Sequence, residues 1–430
     1  MSDATPSYSP RAVRTVVGML VAAVGVEFAH RQILALAVEP LRREFALSDT
    51  QLGSLLTAFA CAYGAFALGL GRVADAADRR RLYAACIGAW SAATAAAAGV
   101  GGFAALLATR AAVGAGQAGA GACAAPLLAD YVAPERRATA LGLLSMGGTL
   151  GTFVALVAGG PVVASLGWRW LFAASGALGL AFALAFAALV DEPPRGWSEG
   201  RAHEAGARPP LGAVLRTLAG IGALRHLVAG TVLATTGLMA GAQWGPAFLE
   251  RVHGFGAAQA GAAAGLAALC GSFGAVGGGV LADRLWSRRP AAALWLPALC
   301  SAAAFPLAAL AFTGAGARLA VALLCASVAL QVVYSAPTGA IAQALVPLRM
   351  RAVTSGALNA LVTLVGLGLG PLAAGRLSDA LGAAGGLGTA LATVSALHLW
   401  AALHFALAAR AIDRAPPAAP LEPGPSAVPR

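Results

Sequence analysis

The run GRVADAADRRR at residues 71–81 is the most informative stretch of this chain of 430 residues, because a related run follows in the second half. It returns 208 positions later as GVLADRLWSRR at residues 279–289. The glycine, the aspartate and two arginines of the runs align, Gly71, Asp75, Arg80 and Arg81 with Gly279, Asp283, Arg288 and Arg289. Gln51 to Gly53 and Gln259 to Gly261 repeat at the same spacing. The chain therefore contains a duplicated unit of about half its length.

Between these repeats the chain is apolar. Hydrophobic residues make up 59% and charged residues 11%, whereas soluble domains carry about 25% charged residues. A helix needs about 20 apolar residues to cross a bilayer. Twelve such runs are predicted, near residues 15–38, 51–71, 82–103, 104–129, 138–160, 170–190, 227–248, 257–282, 291–312, 319–346, 352–375 and 382–409. Ten of them lack Asp, Glu, Lys and Arg; the first holds Glu27 and Arg31, and the fourth holds Arg110.

The sequence thus predicts an all-α membrane protein of 12 transmembrane helices in two pseudo-symmetric six-helix bundles. The predicted boundaries are a cytoplasmic tail at 1–14, an N-terminal bundle at 15–190, a cytoplasmic linker at 191–222, a C-terminal bundle at 223–410 and a disordered cytoplasmic tail at 411–430. Ser48 with Gln51 predicts a capping box that opens the second helix.

The net charge of +11 comes from 29 arginines and no lysine. No Walker-type phosphate loop is possible without lysine, and the arginines do not form the stripe typical of nucleic-acid binding. With both termini in the cytoplasm, 21 arginines lie on that side and 6 outside. This asymmetry predicts a multi-pass protein of a bacterial inner membrane with both ends inside.

The repeated run predicts a conformational latch. Glycine permits close helix contact, and the aspartate and arginines supply a breakable charged contact at the cytoplasmic face. The alternative is a topology signal alone. The predicted latch residues are Gly71, Asp75, Arg79, Arg80, Arg81, Asp283, Arg284 and Arg288.

The run at residues 71–81 resembles the loop motif of the major facilitator superfamily, and RAAVGAGQ from Arg110 resembles its fourth-helix motif. The segments AHRQILALAVEPLRREFALSDTQLG, QWGPAFLERVHGF and GLGLGPLAAGRLSD look like the Spinster subfamily of lysolipid and sphingolipid transporters. The resemblance covers about residues 25–380 and implies the major facilitator fold and secondary transport. Arg31 and Arg110 match the subfamily's arginines, while His30 and Gln117 stand where its members usually carry acids.

An arginine at membrane depth must face a polar cavity or a partner. Arg31 is predicted to line the substrate path, paired with Glu27 four residues earlier. Arg110 is either a substrate contact or an internal strut. The other polar residues predicted to line the site are Gln117, Gln243, Trp244, Tyr334 and Asn359; Trp244 is alternatively an interfacial anchor. Glu27 and His30 are the candidates for proton coupling.

No paired intramembrane carboxylates and no H-E-x-x-H motif occur, so the chain is predicted to be neither an enzyme nor a metal- or cofactor-binding protein. The predicted function is alternating-access transport of an amphipathic or anionic molecule, lysolipid-like or an organic anion, with proton coupling as an open alternative. The alternatives are a drug or organic-anion exporter of the same superfamily, or an uncoupled facilitator or scramblase. The expected partners are membrane lipid and substrate, with no nucleic acid, and a monomer is expected.

Overall fold

The computed structural model describes residues 8–194, 216, 219–346, 350–382 and 386–414. Most of the predicted linker, the first residues of the N-terminal tail and residues 415–430 lie outside this range. Eleven helices of the described residues are long and apolar enough to cross a membrane, and the helix Asp49–Ala76, which bends by 42° near residue 68, makes twelve. The predicted helix count and all-α class are therefore confirmed.

The N-terminal helices are α1 Pro10–Phe45, α2 Asp49–Ala76, α3 Arg79–Ala96, α4 in two pieces Phe103–Gln117 and Ala120–Tyr131, α5 Arg137–Leu166 and α6 Trp168–Leu189. The C-terminal helices are α7 Gly222–His253, α8 Ala257–Arg288, α9 Ala292–Thr313, α10 in two pieces Ala317–Gln331 and Ser335–Ala344, α11 Arg351–Leu361 continuing to Gly368–Leu381, and α12 in two pieces Gly386–Ser395 and Leu397–Arg414.

Helices α2 and α8 begin in the same way, as the repeat of Gln51 and Gln259 requires. The Ser48 hydroxyl accepts a hydrogen bond from the Gln51 N–H at 3.2 Å, and the Gln51 side chain accepts one from the Ser48 N–H at 2.9 Å. The capping box is confirmed. At α8 the Gln259 side chain accepts from the Gly256 N–H at 3.2 Å.

Four helices are interrupted inside the bundle, and α12 is one of them, with a break between Ser395 and Leu397. The first pieces of α4 and α10 are 15 residues long and end at Gln117 and Gln331, so the two halves break at matching points. In α11 a π-helical segment, Val362–Leu367, interrupts the α-helix. Such interruptions free backbone groups and re-aim side chains, and in transporters they occur beside binding sites.

The two halves meet where α2 crosses α11 and where α5 crosses α8, and glycines permit both contacts. A Cβ on Gly53 would lie 2.5 Å from the Pro371 carbonyl oxygen of α11, and one on Gly261 would lie 2.4 Å from the Leu156 carbonyl oxygen of α5. These two glycines belong to the Gln-x-Gly repeat. The repeat therefore holds the halves together at the end of the bundle that carries the α1–α2 and α7–α8 turns, which we call the gate end.

Candidate functional site

A cavity of about 340 Å³ lies between the two halves, inward of the gate end. Helices α1 and α5 form one wall, and α7, α8 and α10 form the other. Most of the lining is aliphatic and small, including Ala263, Ala264, Ala267 and Ala268 of α8 and Val321, Leu324 and Val328 of α10. Among the described lining residues Arg31 is the one charged side chain. The cavity thus pairs a single cation with an apolar wall.

Arg31 is held in position from three sides. Its Nη2 donates to Glu27 Oε1 at 2.9 Å and to Gln117 Oε1 at 3.0 Å. Its guanidinium carbon lies 4.9 Å from the Phe28 ring centre and 5.1 Å from that of Phe59. The predicted Glu27–Arg31 pair is present. Nη1 and Nε have no hydrogen-bond partner among the described residues, so the guanidinium keeps donors for a ligand.

Gln117 supports Arg31 and does not line the cavity. It is fully buried, and its Nε2 donates to the Glu27 carbonyl oxygen at 3.1 Å while its Oε1 accepts from Arg31. Gln117 therefore ties α4 to α1 through both the backbone and the charged pair. A carboxylate at this position would instead add a negative charge to the pair.

His30 and Arg110 point into the N-terminal half, away from the cavity. The His30 Nε2 lies 2.9 Å from the Ser175 carbonyl oxygen of α6, and His30 is 2% exposed. Arg110 is 1% exposed and stacks over Phe172 at 5.5 Å. Its Nε and Nη2 have no hydrogen-bond partner among the described residues. The structure therefore places Arg110 as an internal cation rather than a cavity residue.

The C-terminal residues predicted for the site are distributed over different places. Gln243 is buried and its Nε2 has no partner among the described residues, while its neighbours Gly241, Ala242 and Gly245 line the cavity. Tyr334 is buried against Thr235, with the two hydroxyl oxygens 2.6 Å apart. Asn359 is exposed and within hydrogen-bonding reach of Tyr63. The structure does not place Tyr334 or Asn359 among the residues that line the cavity.

Trp244 belongs to the gate end. Its indole N–H donates to the Pro371 carbonyl oxygen of α11 at 2.9 Å, and the Arg251 guanidinium carbon lies 5.6 Å from its ring centre. Trp244 is fully buried. This hydrogen bond joins α7 to α11 on the gate-end side of the cavity. We therefore expect Trp244 to affect closure of the gate end.

A charged cluster closes the gate end, and sequence analysis missed it. Arg251 of α7 donates from Nη1 and Nη2 to the two carboxylate oxygens of Asp49 at 2.7 and 2.8 Å, and from Nε to Glu39. Ser378 of α11 donates to Asp49 at 2.7 Å. Glu39 and Asp49 are 3% and 4% exposed. One arginine of the C-terminal half is thereby bound between two acids of the N-terminal half, which we call the gate cluster.

Asp379 completes the gate cluster by capping α2 from the other half. Its Oδ1 accepts from the Asp49 N–H at 3.0 Å, and its Oδ2 accepts from the Thr50 N–H at 2.8 Å and the Thr50 hydroxyl at 2.6 Å. A carboxylate at a helix N-terminus satisfies free N–H groups and interacts favourably with the helix dipole.

The gate cluster was missed because the predicted spans were too short. The seventh was predicted over 227–248, but α7 runs to His253 and includes Glu250 and Arg251. The eleventh was predicted to end at residue 375, but α11 runs to Leu381 and includes Asp379. These helices therefore extend beyond the predicted apolar runs, and their last turns carry charged residues. The sequence did contain a signal, because Glu250, Arg251 and Asp379 lie two to four residues beyond the predicted ends of their runs.

At the opposite end, which carries the chain termini, the first latch run is tied to its own half. Arg79 is 4% exposed; its Nη1 donates to Asp130 at 2.6 Å, and its Nε donates to Glu192 at 2.7 Å. Asp78 caps α3 by accepting from the Arg81 N–H at 2.7 Å. Asp75 is exposed and Gly71 is partly exposed on α2. These contacts join α3, α4 and the segment after α6.

The second latch run is arranged differently. Asp283, Arg284 and Arg288 are exposed and make no ion pair among the described residues. Arg289 pairs with Asp413 in the last turn of α12 at 2.8 Å, so this run too is bound to its own half. No contact between the two runs is described, so the latch role of both stays a prediction.

Two six-helix halves around a central cavity, closed at one end by contacts between them, define a polytopic membrane transporter. Comparison with known proteins agrees. The sequence matches the Major Facilitator Superfamily over residues 20–371. It is 30% identical over 428 residues to an MFS-type efflux pump of Mycolicibacterium smegmatis, and the alignment covers 95% of each chain.

Spinster proteins are also similar. Human protein spinster homolog 1 is 30% identical over 236 residues, which cover 53% of this chain and 44% of that protein. The crystal structure of a bacterial homologue of the human lysosomal transporter Spinster, inward-facing and unoccupied, matches with a TM-score of 0.86 and 25% identity, covering 96% of this chain and 100% of that one. The chain belongs to the major facilitator superfamily and resembles Spinster; it is a secondary transporter and not an enzyme.

Proposed function

We propose that the chain transports an amphipathic anion, either lysolipid-like or an organic anion, by alternating access. The observation that carries this proposal is Arg31, the one charged residue among the described residues that line the central cavity. Its free guanidinium donors suit a phosphate or carboxylate headgroup. A substrate headgroup at Arg31 places the rest of the molecule against α8 and α10.

The apolar wall supports a substrate with a hydrocarbon portion. Alanines of α8 and branched side chains of α10 offer a smooth surface without hydrogen-bonding groups. The volume of about 340 Å³ falls within the usual range of small-molecule sites, about 300–1,000 Å³. Gln331 of α10 and Ser395 of α12 add neutral polar contacts from the C-terminal half.

Export of drugs is the second candidate, supported by the likeness to an efflux pump over nearly the whole chain. A neutral or cationic drug has no electrostatic attraction to Arg31. Anion transport and drug export therefore differ in their dependence on that residue. For both, we propose that the termini are cytoplasmic, as the arginine distribution predicts. The closed gate end then faces outward, and the cavity is reached from inside.

Ligand-dependent stability and flux test the proposal. A ligand that binds the folded state raises the unfolding temperature. We expect lysophosphatidylglycerol to stabilise the wild type and to be transported in proteoliposomes. Arg31→Ala should abolish both effects, and Arg31→Lys should restore them partly, because lysine keeps the charge but loses the planar fork.

Arg318→Ala is the matched control, because Arg318 is exposed in the first turn of α10 at the gate end and outside the cavity. It should transport as the wild type does. Transport of an anion by Arg31→Ala at the wild-type rate contradicts the assignment. A cationic drug transported equally by wild type and Arg31→Ala, with no lysophosphatidylglycerol flux in either, selects the drug exporter.

A further inference from the structure

One face of α8 joins an exposed apolar stripe to two exposed arginines. Phe273, Val276 and Val280 are 71%, 68% and 49% exposed, and Arg284 and Arg288 follow on the same helix. At 100° per residue the five side chains fall within about 120° of one another. They form one continuous surface, which we call the α8 outer face.

The α8 outer face lies on a different side of the helix from the residues that line the substrate cavity. The cavity is lined by Ala268, Ser272 and Ala275 of the same helix, about 100–160° around the helix axis from Phe273. Asp283, the latch acid, is displaced by about 100° from Arg284. Arg284 and Arg288 therefore lie on a different side of α8 from both the cavity and the latch aspartate.

The spacing along the α8 outer face matches one leaflet of a bilayer. Phe273 and Arg284 are separated by a rise of about 16 Å, at 1.5 Å per residue. Half the hydrocarbon thickness of a bilayer is about 15 Å. The apolar stripe thus spans acyl-chain depth, and the arginines reach the headgroup level at the termini end.

The two arginines are also free to bind. Neither Arg284 nor Arg288 forms an ion pair among the described residues, whereas neighbouring Arg289 pairs with Asp413 and Arg79 of the other half binds two acids. They are i and i+4 on the helix, so both reach one ligand. Two cations above an apolar stripe are complementary to a phosphate group that carries acyl chains.

We infer that the α8 outer face is a binding site for an anionic glycerophospholipid of the leaflet at the termini end. The phosphate headgroup contacts Arg284 and Arg288, and one acyl chain lies along Phe273, Val276 and Val280. The site is separate from the substrate cavity, so it does not depend on which molecule is transported. Because α8 also forms the α5–α8 contact between the halves, this lipid contacts an element that moves in the transport cycle.

Native mass spectrometry of the full-length protein tests the site, with phosphatidylglycerol and phosphatidylcholine of matched chains as probes. An arginine near an anionic surface contributes roughly five-fold in affinity, so Arg284→Gln with Arg288→Gln should weaken phosphatidylglycerol binding roughly 30-fold. Phosphatidylcholine also carries a phosphate, but its choline cancels the net charge, so its binding should weaken much less. Arg11→Gln with Arg14→Gln is the matched control, because it removes two exposed arginines from one face of α1 at the same end.

We expect the control to bind phosphatidylglycerol as the wild type does. Equal losses in the two double variants would show general surface attraction and overturn the site. An unchanged affinity in Arg284→Gln with Arg288→Gln would overturn it as well. Phe273→Ser with Val280→Ser keeps the arginines, and here we expect weaker binding of both lipids; unchanged binding would overturn the acyl-chain part of the inference.

Discussion

Arg79 and Arg110 are both buried arginines of the N-terminal half, and they differ in what surrounds them. Arg79 donates to Asp130 and Glu192. Arg110 has an aromatic ring beneath it, and two of its nitrogens lack a partner among the described residues. Burying a charge without a counter-charge destabilises the folded state. Removing one member of a buried ion pair instead leaves the other charge buried and uncompensated.

Substitution by methionine should therefore act in opposite directions at these two positions. We expect Arg110→Met to leave the free energy of unfolding unchanged or to raise it by up to about 4 kcal/mol. Arg79→Met should lower it by about 3 kcal/mol, because two acids lose their partner while Glu192 stays partly exposed. Unfolding of the purified variants measures both. A large destabilisation by Arg110→Met would mean that Arg110 holds a bound water or anion.

Glu27 is the residue expected to couple proton uptake to substrate transport. Its bond to Arg31 competes with any anionic substrate, so substrate binding weakens the hold on its ionised form and links occupancy to proton uptake. His30 faces the α6 backbone instead. We predict that anion accumulation driven by a pH gradient is lost in Glu27→Gln and retained in His30→Ala.

Substrate flux with and without an imposed gradient measures this. Accumulation that survives Glu27→Gln but is lost in His30→Ala assigns coupling to the histidine and contradicts the prediction. A wild type whose flux ignores the gradient is an uncoupled facilitator, and Glu27 is then only the partner of Arg31.

At the scale of the helices, the crossing of α2 and α11 depends on glycine. Besides Gly53, Gly375 of α11 packs so closely that its Cβ would lie 2.2 Å from the Asp49 carbonyl oxygen. Both contacts join the two halves at the gate end, which is closed in this structure. A side chain there should therefore oppose closure and leave the rest of each helix unchanged.

We predict that Gly53→Ala opens the gate end. A clash of about 2 kcal/mol shifts the balance of states about 30-fold. The readout is labelling of Gly245→Cys, which lines the cavity, by an impermeant maleimide added from the gate side in a background without native cysteines. Gly69→Ala is the control on the same helix, since no atom lies within 4 Å of its added Cβ. Equal labelling in both variants would show that this contact does not govern closure.

The elements differ in how far the sequence predicts them. Local signals were sufficient for the capping box at Ser48 and for the Glu27–Arg31 pair, because both lie within four residues. The break after Gln117 and the π-helical segment in α11 have no such signal, since they depend on packing between helices. The gate cluster joins Asp49 to residues more than 200 positions away. The predicted span boundaries left these residues outside the helices, so their contact was not predicted.

At the scale of the whole molecule, the duplication explains the architecture. Gly53 and Gly261 make equivalent contacts across the halves, and α4 and α10 break at equivalent points. The cavity itself is asymmetric, with the arginine from one half and most of the apolar wall from the other. The equivalent contacts of the two halves are expected to allow two alternative arrangements of the bundle. The asymmetric lining of the cavity is expected to determine which substrate binds.

The most direct test is a pair of spin-label distances, one at each end of the molecule. Labels at Gly101 and Gly316 report the gate end, and labels at Arg81 and Ser287 report the termini end; all four positions are exposed. Without ligand we expect a short gate-end distance and a long termini-end distance. Lysophosphatidylglycerol should lengthen the first and shorten the second in the wild type, and leave both unchanged in Arg31→Ala. Distances that change in the same direction, or that respond equally in Arg31→Ala, would contradict alternating access of an anion bound at Arg31.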